Sequence, residues 1–163
     1  MTRGREEWGE SRMMETTGNV RQALVEEVPD DAEDAVESKY NVARQAFLTR
    51  RYADAAAGYQ GLCAYYETAF SKTRGDLAEI LYVESLRDLG EGQLELGRWE
   101  NARKTLKKHI LYCRRENSFF IRDSLASVTL LARLYLKIKK PRWSLAMTRI
   151  GIAAAAAWWG VDA

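Results

Sequence analysis

The chain has 163 residues, which is long enough for one domain with a buried core. It contains only 2 Pro and 11 Gly, and Ala, Leu, Glu, Arg and Lys recur throughout, so the composition favours helices. No apolar run reaches the roughly 18 residues of a membrane span, and the N-terminal segment is polar. We therefore expect neither a transmembrane helix nor a secretory signal.

Charge is unevenly distributed along the chain, although the net charge is only +2. Of the 25 basic and 23 acidic residues, 14 basic and 4 acidic ones lie from Arg98 onward, a sum of +10. Residues 1–97 keep 11 basic and 19 acidic residues, a sum of −8. Such asymmetry bears on association rather than on fold, and it makes head-to-tail self-association one expectation.

Residues 1–15 are polar and aperiodic, and we interpret them as a flexible arm. Residues 16–29 follow as a short helix and linker, because Val20, Leu24 and Val28 recur at a spacing of four before Pro29.

Six longer helices are predicted in a domain that covers residues 30–160, because apolar residues recur there at spacings of three and four. Gly97 is placed as a helix-ending glycine, and Pro141 suits the first turn of the last helix. The predicted ranges are 31–49, 52–72, 77–96, 99–116, 119–139 and a helix that begins near residue 141.

The second helix of each predicted pair begins alike, with an aromatic residue, an alanine and a larger residue. The three segments read Tyr52-x-x-Ala55-x-x-x-Tyr59, Trp99-x-x-Ala102-x-x-x-Leu106 and Trp143-x-x-Ala146-x-x-x-Ile150. The shared alanines lie 47 and then 44 residues apart. Such a recurrence is typical of a helical solenoid, in which each pair buries its apolar face only by stacking on its neighbours.

This pattern resembles the tetratricopeptide repeat (TPR) family over residues 38–157. The middle pair carries the resemblance best, with Leu86-x-x-Leu89-Gly90-x-x-Gln93 followed by Gly97-Arg98-Trp99-x-x-Ala102. The period exceeds the roughly 34 residues of the plain family and is similar to the longer-repeat branch, as in Pins/LGN-type, Tonsoku-like and kinesin-light-chain proteins. The family's proline near the end of each repeat is absent.

The resemblance implies an all-α superhelix of about three helix pairs, a scaffold or adaptor that holds a partner peptide or helix in a concave groove. The positions carried over to that groove are Tyr40, Asn41, Arg44, Arg87, Asp88, Glu91, Thr129 and Arg133. Its arginines suit carboxylates, so we expect a partner segment with acidic residues. The alternative is a solvated ladder of arginines with acidic neighbours and no ligand.

Two further surfaces leave other functions open. One is basic and would suit nucleic acid or an anionic membrane, although no nucleic-acid motif is recognised. It comprises Arg103, Lys104, Lys107, Lys108, Arg114 and Arg115. The other is the terminal pair Trp158 and Trp159. We expect these tryptophans to form an interface with a partner or a second copy, to fold back into the core, or to be covered by a further repeat of a longer array. A third interpretation of the chain is a regulatory module whose groove senses a short peptide.

No catalytic, metal or cofactor motif is recognised, so we expect no enzyme, no metal and no cofactor. His109 is the only histidine, and we interpret it as a surface or repeat-packing side chain. Cys63 and Cys113 lie within helical patterns and are predicted to be reduced, partly buried thiols. That cysteine usage favours an intracellular location, cytoplasmic or nuclear.

Overall fold

The computed structural model describes residues 30–69, 76–115 and 121–159, so the predicted arm, short helix and linker before residue 30 lie outside the described residues. The helices are α1 (Asp30–Leu48), α2 (Tyr52–Ala69), α3 (Asp76–Glu95), α4 (Trp99–Arg115), α5 (Ile121–Lys137) and α6 (Pro141–Trp159). All six predicted helices are present, and their ends differ from the prediction by only a few residues. The described residues contain no strand, so the all-α class is confirmed.

Three tight turns, which join α1 to α2, α3 to α4 and α5 to α6, have the same backbone structure. Each contains one residue with positive φ, at Arg50 (59°), Gly97 (70°) and Lys139 (58°). Each also has a hydrogen bond from an N–H to the carbonyl five residues earlier, the pattern of a Schellman cap. These bonds run from Arg51 to Ala46, Arg98 to Gln93 and Lys140 to Tyr135, at 2.9, 2.8 and 2.8 Å. The described residues therefore form three helical hairpins whose turns are equivalent.

Helices that follow one another along the chain pack against each other, from α1 on α2 to α5 on α6. In addition, α1 contacts α3, and α3 contacts α5. Among the described residues the even-numbered helices do not contact one another in this way. The odd-numbered helices thus lie side by side, with α3 at the centre, and side chains from all three can meet on one surface.

Close helix crossings depend on small residues, as the repeat pattern predicts for the first two hairpins. Ala55 and Ala102 are fully buried. Gly58 lies so close to α1 that a Cβ atom there would be 2.9 Å from the Cβ of Ala43. At Gly90, a Cβ atom would be 2.5 Å from Cδ2 of the buried Leu106. These contacts set the spacing between the two helices of the first and of the second hairpin.

The third hairpin differs from the register that the alanine pattern predicts. Counted from the turns, the N–H groups of Ala55, Ala102 and Ser144 occupy the same place, each bonded to the carbonyl four residues earlier. Ser144 is buried, whereas Ala146 is only partly buried. The small residue of the third hairpin is therefore Ser144. The sequence pattern misplaced it because Trp143 stands two residues further from its turn than Trp99 does.

The two cysteines and the histidine are all buried. Cys63 and Cys113 are free thiols, and burial raises the pKa of each to about 12. His109 is fully buried between α4 and α5, so it is a packing residue and not a surface one. Its Nδ1 atom lies 2.9 Å from Oγ of Ser127, and burial lowers its pKa to about 4. Within the described ranges no helix is both long and apolar enough to cross a bilayer.

Candidate functional site

Side chains of α1, α3 and α5 line one shared groove of about 540 Å³, which we call the central groove. Five of the predicted groove residues meet there, namely Arg44, Arg87, Asp88, Glu91 and Thr129. The groove also has apolar residues that the family register did not indicate, namely Phe47, Leu48, Ala126 and Leu130. Leu48 is one of the large apolar side chains that remain exposed, at 67 %. The groove therefore combines charged walls with an apolar surface.

Arg44 and Arg133 flank the middle helix, and each contacts carboxylates of α3. Arg44 Nη1 lies 3.7 Å from Oε2 of Glu84. Arg133 Nη2 donates to Oε1 of Glu95 at 2.6 Å, and its Nη1 lies 3.8 Å from Oε1 of Glu91. The side chains of Arg44 and Arg133 are still 52 % and 46 % exposed, so both guanidinium groups remain accessible from solvent.

Asp88 is the fixed polar centre of the groove wall. Its Oδ1 accepts from Nε of Arg87 at 2.9 Å, and its Oδ2 accepts from the hydroxyl of Tyr59 at 3.1 Å. Burial opposes the charge on Arg87, but the attraction and hydrogen bond of Asp88 outweigh it and raise the pKa of Arg87. Burial, together with the charge of Asp88, also raises the pKa of Tyr59, which stays a neutral donor. Arg87 and Asp88 therefore form an ion pair in which each neutralises the charge of the other.

Three predicted groove residues do not line the central groove. Arg133 lies beside it, next to the lining residue Glu91, and the other two are Tyr40 and Asn41. Tyr40 is buried, with only 3 % exposure. Its hydroxyl donates to Oε2 of Glu84 at 2.5 Å and accepts from Nη1 of Arg44 at 2.7 Å. Asn41 is exposed but does not line the central groove. Successive residues on a helix point about 100° apart, so Tyr40 and Asn41 face the core and the solvent respectively.

Around the central groove the carboxylates outnumber the arginines by one. Arg44 and Arg87 of its lining, and Arg133 beside it, face four carboxylates of α3, those of Glu84, Asp88, Glu91 and Glu95. Burial and the charge of Asp88 raise the pKa of Glu91, although Arg133 opposes this shift. The sequence prediction considered the arginines and missed Glu84 and Glu95. Their spacing with residues 88 and 91, at intervals of three and four, places all four carboxylates on one face of α3 and was the available signal.

Two residues of the predicted basic surface pair with carboxylates of the protein itself. Lys108 pairs with Glu67 of α2 at 2.5 Å, and Arg103 pairs with Glu100 at 2.6 Å. Lys104 and Arg114 are exposed, whereas the side chain of Arg115 lies outside the described part of the chain. The side chains of Trp158 and Trp159, at the end of α6, lie outside it too, so the terminal interface stays a prediction.

The described residues contain no cluster of three or more His, Cys, Asp or Glu that would hold a metal ion. No protein-family model matches the chain, and neither curated proteins nor solved structures give a significant match. The relation to the TPR family therefore stays a prediction from the repeat pattern.

Proposed function

We propose that this chain is an α–α superhelix of three TPR-like hairpins that acts as a protein–protein interaction scaffold or adaptor. Three observations support the proposal: the turns are equivalent, the odd-numbered helices lie side by side, and the central groove lies across them. The central groove is the observation on which the proposed function mainly rests. Its volume of about 540 Å³ is that of a site for a few anchoring side chains.

The proposed ligand is a peptide or helix of a partner protein, held by one apolar anchor and by acidic residues. Phe47, Leu48 and Leu130 offer the apolar contact. Arg44 and Arg133 stand on either side, half-exposed, and a partner carboxylate would share them with Glu84 and Glu95. Because α3 already neutralises the arginines, the anchor supplies most of the affinity and the acidic residues set the orientation.

The test is selection from a displayed library of random 12-residue peptides, followed by titration of the selected peptides by fluorescence anisotropy. Selected peptides should combine an aliphatic or aromatic residue with acidic residues. The double variant Arg44→Ala, Arg133→Ala should bind them at least about tenfold more weakly, since each charge-assisted hydrogen bond contributes roughly 1.5–3 kcal/mol. Leu48→Ala should also weaken the binding of the selected peptides.

The matched control is Arg51→Ala, which removes an exposed arginine at the turn between α1 and α2, outside the central groove. Its affinity should equal that of the original chain. Arg87 is left in place, because its loss would leave the carboxylate of Asp88, only 10 % exposed, without its charged partner. Selected peptides that bind the double variant and the control equally well would refute the assignment of this groove.

A further inference from the structure

A second groove, of about 530 Å³, lies where α4 begins, α5 ends and α6 begins. Three aromatic and three basic side chains line it, and we call it the aromatic–basic groove. They are Trp99, Tyr135, Trp143, Arg103, Lys107 and Lys140. This groove shares no residue with the central groove, so the two sites can be occupied and tested independently.

The two tryptophans of this groove are exposed, whereas Tyr135 is buried at 8 % exposure and belongs to the core. Trp143 is 58 % exposed and Trp99 is 36 % exposed. The ring of Tyr135 lies 6.1 Å from that of Trp143 at an angle of 32°, so the two rings are tilted neighbours along the groove. Because the two exposed tryptophans border the same groove, a ligand that covers them removes apolar surface from contact with water.

The helical register explains why Trp143 lies in the groove. Trp99 follows its turn directly, and its indole Cζ2 would be 3.5 Å from a Cβ atom at Gly97. Trp143 stands two residues further from the corresponding turn. Two residues correspond to a rotation of about 200° around the helix axis. Trp143 therefore does not pack on its turn as Trp99 does, and it stands beside Tyr135 instead.

The charge of this groove is positive, unlike that of the central groove. Arg103, Lys107 and Lys140 face a single carboxylate, Glu100, which is bound to Arg103. Lys107 and Lys140 are exposed and form no ion pair with any described residue. Two lysine ammonium groups beside exposed indole rings can therefore receive anionic groups without displacing an internal partner.

We propose that the aromatic–basic groove binds single-stranded nucleic acid. One base stacks on Trp143 beside Tyr135, and the adjoining phosphates contact Lys107 and Lys140. Stacking on aromatic rings combined with cationic contacts to the backbone is how proteins bind single strands with little sequence preference. A duplex keeps its bases stacked inside the helix and cannot offer one to the indole. An acidic peptide would use the lysines but would not need the exposed rings.

The experiment measures the anisotropy of a fluorescein-labelled dT 12-mer with the full chain at low salt. Trp143→Ala should weaken binding roughly 5- to 150-fold, the range for one stacked base. Because the side chain is more than half exposed, its removal leaves the core intact, and Trp143→Phe should restore part of the affinity. The double variant Lys107→Ala, Lys140→Ala should flatten the slope of log K against log salt by about 1.4.

Matched controls remove similar groups outside the groove. Leu136→Ala removes an apolar side chain of α5 that is 60 % exposed, and Lys104→Ala removes an exposed lysine of α4. Both should bind the 12-mer as the original chain does. A 12-base-pair duplex and polyglutamate should bind more weakly than the single strand, and Trp143→Ala should leave polyglutamate binding unchanged.

Three results would overturn the proposal. Unchanged binding of the 12-mer by Trp143→Ala would show that no base stacks there. Polyglutamate that binds as tightly as the 12-mer would identify a general polyanion surface or an acidic-peptide site. ATP that binds as tightly as the 12-mer would identify a mononucleotide site. Peptide binding in the central groove is tested with variants at other positions, so failure of this proposal would not bear on the proposed scaffold function.

Discussion

The close contact between α3 and α4 leads to a prediction about two glycines. Both Gly90 and Gly61 lie inside helices, where alanine is better by roughly 0.8–1.0 kcal/mol. At Gly61 a Cβ atom would meet nothing within 4 Å, so Gly61→Ala should stabilise the chain by about that amount. At Gly90 it would lie 2.5 Å from Cδ2 and 2.7 Å from Cγ of Leu106.

Leu106 cannot move aside easily, because it is fully buried. Overpacking of a core site costs about 1–3 kcal/mol, which offsets the gain in helix propensity. Gly90→Ala should therefore be neutral or destabilising by up to about 2 kcal/mol, and it should be 1–3 kcal/mol less stable than Gly61→Ala. Urea denaturation followed by circular dichroism at 222 nm measures the difference as a shift in midpoint at constant slope.

A double-mutant cycle separates this clash from other causes. Leu106→Ala alone should cost about 2–5 kcal/mol, because it leaves a cavity. In that background Gly90→Ala should cost less than it does alone, or should stabilise, since the two changes fill and empty the same space. If Gly90→Ala stabilises the original chain as much as Gly61→Ala does, the crossing of α3 and α4 is wider than the structure has it.

Three further predictions concern buried polar groups. Burial holds the pKa of His109 near 4, below its ordinary 6.5, so the unfolded chain binds this proton first. The free energy of unfolding should therefore fall as the pH is lowered from 6.5 to 4, by about 3 kcal/mol more in the original chain than in His109→Gln. Urea denaturation at each pH measures both losses, and equal losses in the two chains would contradict this prediction. Cys63 and Cys113 should react with a thiol reagent only after the chain is unfolded in urea, since burial raises their pKa. Reaction of either thiol in the folded chain would contradict its burial. Tyr59→Phe should cost about 1.5–3 kcal/mol in urea denaturation, and an unchanged midpoint would exclude the hydrogen bond to Asp88.

The two grooves differ in a way that bears on their partners. In the central groove, charges of opposite sign already pair within the protein, so a ligand gains mainly by excluding water from Leu48 and its neighbours. In the aromatic–basic groove, Lys107 and Lys140 face solvent, so binding there should weaken steeply with salt. Binding in the aromatic–basic groove should therefore depend more steeply on salt than binding in the central groove.

The sequence by itself determined the helices, because helix formation is local. Each backbone hydrogen bond joins residues four apart, so apolar spacing and breaks such as Gly97 suffice to place the helices. The small residues Ala55 and Ala102 were recognisable for the same reason, since they recur at one place in the first two hairpins. In the candidate site, the family register found Arg44, Arg87 and Asp88 from their positions on the odd-numbered helices.

Only the tertiary structure decided which side chains meet across helices. The pattern of tryptophan and alanine favoured Ala146, and the backbone structure of the turn at Lys139 showed that Ser144 is the small residue of the third hairpin. Pro141, which begins α6 as Trp99 begins α4, was the available signal in the sequence. The sequence did not indicate that Glu95 reaches Arg133, 38 residues away. Such contacts depend on the crossing and register of packed helices, where a shift of two residues turns a side chain by about 200°. For this reason Trp143 lies beside Tyr135 in the aromatic–basic groove and does not pack on its turn as Trp99 does.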